Sequence, residues 1–148
     1  MKIRPPRASR GFSLIEVLVT ILITSIGLLG FAGLLGKSVV SNREAYFRSQ
    51  ATFVSYDILE RMRVNRPAAA AGAYTVAIGT TPSGGTRAGD DLVGWKQRLA
   101  DSFPNGDGSV TTDGNGNVSV IIQWTARTDN SQDADGNETR QFSNQSRI

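Results

Sequence analysis
From Phe12 to Leu35 the chain is apolar almost without a break: Glu16 is the one charge, and Ser13, Thr20, Thr24 and Ser25 are the other polar side chains. As a helix this run would rise about 36 Å, enough to cross a hydrocarbon core with some tilt. Beyond Lys37 the pattern turns amphipathic. Val39, Val40, Tyr46, Phe47, Phe53, Val54, Ile58, Leu59 and Met62 recur at fours and sevens and predict one buried side of a helix. Lys37, Arg43, Glu44, Arg48, Asp57, Glu60, Arg61 and Arg63 take most of the remaining surface as a solvated face. Adjacent apolar pairs make the stripe wider than the seam of a two-stranded coiled coil, so something broad must cover it. Pro67 biases Arg66 out of helical geometry and is predicted to end the run, giving one helix of about 50 residues.

Residues 67–148 are polar, glycine-rich and punctuated by Asn and Asp. A short strand is expected near residues 74–78. Asp90 or Asp91 is placed to cap a short helix in which Leu92, Trp95, Leu99 and Phe103 fall at spacings of three and four, with Pro104 ending it. In "NVSVIIQWTAR", Val118, Val120, Ile122 and Trp124 alternate with Ser119, Ile121, Gln123 and Thr125, the signature of a strand with one apolar face. The preceding "GSVTTDGNGNVSV" predicts a hairpin, and a last strand is expected over residues 139–142. The predicted fold class is α+β: a long N-terminal helix packed on a small antiparallel sheet. Trp95 and Trp124 are expected in its core.

The charge balance is misleading until it is divided. Lys2, Arg4, Arg7 and Arg10 precede the apolar run, and without them the chain carries 12 basic and 13 acidic side chains. The basic character belongs to the N-terminal segment, so nucleic-acid binding loses its main support. There is no cysteine and no histidine, which removes disulfides, thiolate nucleophiles, Ser-His-Asp chemistry and the usual zinc sites. No enzyme activity, cofactor or metal is expected. The runs "NGDGS", "DGNGN" and "DADGNE" have the composition of calcium loops. Counting Asp133 as the first ligand puts Glu138 where the loop glycine belongs, and the other runs also fail in register, so turns are the better reading.

The stretch "RGFSLIEVLVTILI" orders its parts unusually. A secretory signal has its small-residue cut after a short apolar region, whereas Gly11 stands before a run too long for that role. This stretch resembles the prepilin signature of type IV pilins and type II secretion pseudopilins. The resemblance implies cleavage after Gly11 by a prepilin peptidase, N-methylation of Phe12, and use of Glu16 to set the register of an incoming subunit. It implies four segments: a cleaved leader at 1–11, a transmembrane and filament-core helix at 12–36, its amphipathic continuation at 37–66, and a C-terminal region at 67–148. Implied partners are other pilins and minor pilins, the peptidase and N-methyltransferase, and the inner-membrane assembly platform. Implied localisation is the bacterial inner membrane and then a pilus, with the C-terminal region in the periplasm or outside the cell.

A carboxylate in hydrocarbon costs about 2.5–3.5 kcal/mol on insertion scales. A cut at Gly11 would free a positive amine on Phe12, on this helix or a neighbouring one, to compensate it. Gly27, Gly30, Gly33 and Gly36 recur every third residue and would permit close helix approach or local unwinding. No proline interrupts this region, so the kink common in major pilins is not expected here. "SQATFVSYDILERMRVNRP", "DDLVGWKQRLADSFPNGDGSV" and "VSVIIQWTARTD" are similar to PilV-type minor pilins, also called type IV pilus modification proteins. That similarity favours a minor pilin that helps initiate or modify a pilus. A minor pseudopilin and a single-pass anchored binding domain are the alternatives.

Overall fold
The computed structural model describes residues 11–113, 115–127 and 137–148. The leader, apart from Gly11, and the acidic run containing Asp133 lie outside the described residues. Helix α1 spans Leu14–Val64 and is followed by α2 (Arg66–Ala70), α3 (Arg87–Ser102), β1 (Asp107–Thr112), β2 (Asn117–Arg127) and β3 (Asn137–Arg147). The chain divides into two compact units, residues 1–42 and 43–148, with the division inside α1. The second unit is α+β: a long N-terminal helix lies on a small three-stranded antiparallel sheet ordered β1-β2-β3, an architecture like that of pilins.

The part of α1 in this unit buries Phe47, Ala51, Val54, Ser55, Ile58, Leu59 and Met62. The apolar stripe predicted from the sequence is therefore too wide in one respect. Tyr46 and Phe53 stay 62 % and 69 % exposed, and in the first unit Val39 and Val40 are exposed as well. The small residues Ala51 and Ser55 take the covered side because the sheet approaches closely there: Asn144 of β3 donates to Ser55 Oγ at 3.0 Å.

Pro67 acts differently from expectation. Helix α1 stops at Val64, Asn65 breaks the helix with φ −115° and ψ 45°, and α2 resumes at Arg66 with Pro67 in its first turn. A proline there forfeits no intrahelical bond, because the first N–H groups of a helix are unpaired anyway. The strand expected over 74–78 shrinks to a single bridge, Val76 with Val110.

Helix α3 begins before the predicted cap. Thr86 is the N-cap, its hydroxyl accepting from Gly89 N at 3.1 Å, and Asp90 reaches back to Gly85 N at 2.9 Å. The two satisfy otherwise orphaned donors, leaving Asp91 free for another task. Leu92, Trp95, Leu99 and Phe103 are buried as their spacing predicts. Trp95 Nε1 donates to Val54 O at 3.1 Å, tying α3 to α1. Gly108 permits this arrangement, since a Cβ there would lie 2.7 Å from the Trp95 ring and 2.6 Å from Ile121 O.

Strand β2 presents Val118, Val120, Ile122 and Trp124 to the core and the alternate residues to the other side. Phe47, Phe103 and Trp124 cluster there with centroid separations of 5.5 to 6.2 Å. The β1–β2 turn is closed by Asp113, whose carboxylate accepts from the backbone N–H groups of Asn115 and Asn117. Strand β3 runs well past the four residues expected. It lacks apolar alternation because its helix-facing side is polar apart from Phe142, which packs on the core: Asn144 meets Ser55, Ser146 meets Arg63, and Arg140 approaches Glu44.

Candidate functional site
Two features of the chain call for a functional account. The first is the N-terminal part of α1. Gly11, Phe12 and Ser13 precede the helix, whose first turn closes with Val17 N donating to Ser13 O at 3.2 Å. Glu16 falls in that first turn, where the partial positive charge of the helix N-terminus favours an acid. Phe12, Glu16, Val17, Thr20 and Ile21 share one shallow surface depression, so the structure brings two of the sequence-selected residues together.

Thr20, Thr24 and Ser25 each donate to the carbonyl four residues earlier, at 2.7 Å. Such back-bonding removes hydroxyl donors from the surroundings and suits an apolar solvent. Gly27, Gly30, Gly33 and Gly36 lie further along, and among the described residues nothing comes within 4 Å of a Cβ built at any of them. Their lack of a side chain is not demanded by packing within the molecule.

Every side chain from Phe12 to Leu35 is exposed. A continuous apolar surface of this length is not stable in water and requires lipid or protein around it. Among the described residues this is the one helix long and apolar enough to cross a membrane. It fits a single-pass membrane anchor near the N-terminus.

The second feature is a polar cluster in the second unit. Arg61 donates to Asp91 Oδ1 at 2.8 Å and to Asp57 at 3.1 Å, Arg98 also pairs with Asp57, and the Tyr74 hydroxyl donates to Asp91 Oδ2 at 2.7 Å. Asn65 completes it by donating to Tyr74. Arg61 therefore bridges α1 and α3 while staying part-exposed, and Arg63 pairs with Glu60 and reaches Ser146. Sequence reading missed this network because the bonds that join its elements span 9 to 41 residues of chain. Burial pushes the Asp91 carboxyl up, but Tyr74 and Arg61 together outweigh it and hold Asp91 below the usual carboxylate range. Burial and Asp91 raise the Tyr74 hydroxyl, and the Asp91 and Asp57 carboxylates raise Arg61. Asp107 behaves like Asp91: burial is outweighed by Lys96 and by the N–H groups of Gly79 and Gly108.

Depressed carboxyls stabilise the fold above their unfolded value and lose that contribution as pH falls through the folded one. The thermal midpoint of the second unit, followed by Trp95 and Trp124 fluorescence in the full chain, is thus expected to be level between about pH 5 and about pH 9 and to fall below about pH 4. Asp107→Asn should lower the plateau and flatten the acid limb. An acid limb as steep as that of the parent chain would show that Asp107 is not one of its sources. The acids of this cluster are each engaged by a cation, a hydroxyl or an N–H. Among the described residues no group of three or more His, Cys, Asp or Glu is placed to hold a metal.

Helix α1 thus follows Gly11 closely, carries Glu16 in its first turn and stays apolar through its first half. Residues 6–32 match the prokaryotic N-terminal methylation motif. That motif is a prepilin signal of the type IV pilin and pseudopilin kind, and it implies processing by a prepilin peptidase and assembly with other pilins. Proteins carrying it are structural subunits. No curated protein and no solved structure matches the chain.

Proposed function
We propose that this chain is a minor type IV pilin, cut after Gly11, N-methylated on Phe12, and built into a pilus through its apolar helix to help initiate or modify assembly. The observation that carries the reading is the methylation motif over residues 6–32 with Glu16 as the only charge in the apolar run of residues 12–35. Cleavage converts a peptide nitrogen into a cation. That cation can neutralise Glu16, on the same helix or on a neighbour, where water is absent and an unpaired carboxylate is costly. The exposed glycine strip supports close helix packing in the assembled state. The unit of residues 43–148 is then the part displayed in the periplasm or outside the cell.

A minor pseudopilin of a type II secretion system uses the same chemistry and is the second reading. The resemblance of "ERMRVN" and of the Trp124 strand to PilV-type proteins favours the pilus. Intact-mass analysis of the protein isolated from its host tests the processing step that both share. A chain beginning at N-methylated Phe12 is expected. A chain retaining Met1, or cut inside the apolar run, would refute it. Which filament contains the mature chain, a pilus or a secretion pseudopilus, then separates the two readings.

A further inference from the structure
The sequence contains two Asn-Gly dipeptides, Asn105-Gly106 and Asn115-Gly116. The pairing is chemically labile. Glycine has no side chain to shield its nitrogen or restrict its backbone, so that nitrogen can attack the side-chain carbonyl of the asparagine before it. The fold treats the two sites differently. Gly106 N donates to Phe103 O at 3.0 Å, and a Cβ built at Gly106 would lie 2.2 Å from Leu99 O, so this nitrogen is held in close packing against the end of α3. Asn105 Nδ2 donates to Thr125 Oγ1 at 3.3 Å, and Thr125 N donates in turn to Pro104 O at 2.8 Å. Attack at this site has to break several bonds at once.

Asn115 is exposed in the connection between β1 and β2, and neither its side chain nor Gly116 N makes a hydrogen bond among the described residues. The bonds that hold this turn use other groups. The Asp113 carboxylate accepts from the N–H groups of Asn115 and Asn117 and from Asn117 Nδ2, Asp113 N donates to Asn117 O, and Ile148 N donates to Gly116 O. The Asn115 side chain can therefore turn onto Gly116 N without giving up a hydrogen bond of its own.

We propose that Asn115 is a site of spontaneous covalent modification, at which the chain converts its own side-chain amide to an acid with solvent water as the only reagent. Gly116 N loses its proton to hydroxide and bonds to Asn115 Cγ; the Cγ–Nδ2 bond breaks, and ammonia leaves after taking a proton from water. The product is a cyclic imide, which water opens at either carbonyl. One opening leaves an ordinary aspartate at this position, and the other leaves an isoaspartate whose extra methylene enters the main chain. Both place a new negative charge two residues from Asp113, and the second also lengthens the backbone next to the Ile148–Gly116 bond. The turn thus gains charge as the molecule ages. The chemistry is independent of N-terminal processing and of the filament reading.

Trypsin releases residues 99–127 as one peptide that carries both sites, so each measurement contains its own control. The full chain is held in detergent at mildly alkaline pH, sampled over days, digested and mapped by fragment-ion mass spectrometry. Conversion at Asn115 is expected to run at least roughly tenfold faster than at Asn105, because Asn105 reacts only after local opening frees Gly106 N. Isoaspartate should accompany aspartate at position 115. When urea unfolds the second unit, as judged by tryptophan fluorescence, the two rates should converge. Equal rates in the folded chain, faster conversion at Asn105, or a product free of isoaspartate would overturn the proposal. So would a preference for Asn115 that persists unchanged in urea, since neighbouring sequence and not the fold would then select the site.

Discussion
Glu16→Ala is expected to leave the chain in the membrane while removing it from filaments. The two halves of that result have separate causes. Deleting the carboxylate relieves an insertion cost of about 2.5–3.5 kcal/mol, so membrane retention should be equal or better. In the assembled state proposed above, the same deletion strands a cation at Phe12 in a helix bundle. Breaking a buried pair by removing one partner costs about 3–5 kcal/mol, and that corresponds to a loss of incorporation of at least roughly a hundredfold. Glu16→Gln should behave like the alanine variant, because shape is kept and charge is lost. Immunoblots of sheared filaments against membrane fractions measure both halves. Filament levels unchanged in either variant would remove Glu16 from any role in assembly.

Trp95→Ala should remove a large share of the stability of the second unit. The indole is fully buried between α3, α1 and β1, and its Nε1 satisfies Val54 O. Truncating a buried tryptophan costs about 3–5 kcal/mol, against a total stability of about 5–15 kcal/mol for an ordinary domain. Trp95→Phe keeps most of the apolar volume but leaves the Val54 carbonyl without that donor, a loss of about 1 kcal/mol or more. Trp124 supplies the contrast. Its ring is as deeply placed, stacked on Phe103, yet its Nε1 is buried with no hydrogen bond among the described residues. Trp124→Phe should therefore be the milder substitution of the two. Denaturant titration of the full chain in detergent, followed by the remaining tryptophan, checks the order. Trp124→Phe proving the more damaging would show that volume, not the Val54 bond, governs these sites.

The limits of the sequence reading fall at identifiable residues. Leu92, Trp95, Leu99 and Phe103, and the alternation from Val118 to Trp124, were legible because each buries one side of a regular element and the period is written in the order of residues. Tyr46 and Phe53 were misleading for the same reason. Periodicity reports which residues share a side of a helix, but not which side another element covers. The cap at Thr86 was hidden behind Asp90 and Asp91, which are equally good capping types, and geometry alone chose between them. Strand β3 carried little signal because most of its helix-facing positions, Arg140, Asn144 and Ser146, are polar where alternation requires apolar residues.

The N-terminal half of α1 needed only the sequence. An unbroken apolar run with one acid after a small residue interacts with its solvent and with a local backbone, and neither requires a second element to interpret. The convergence of Arg61 and Tyr74 on Asp91, the exposure of Phe53 and the length of β3 were decided only by the tertiary structure. Each depends on groups far apart along the chain, and their free energies arise from distance and burial, quantities that the order of residues does not contain.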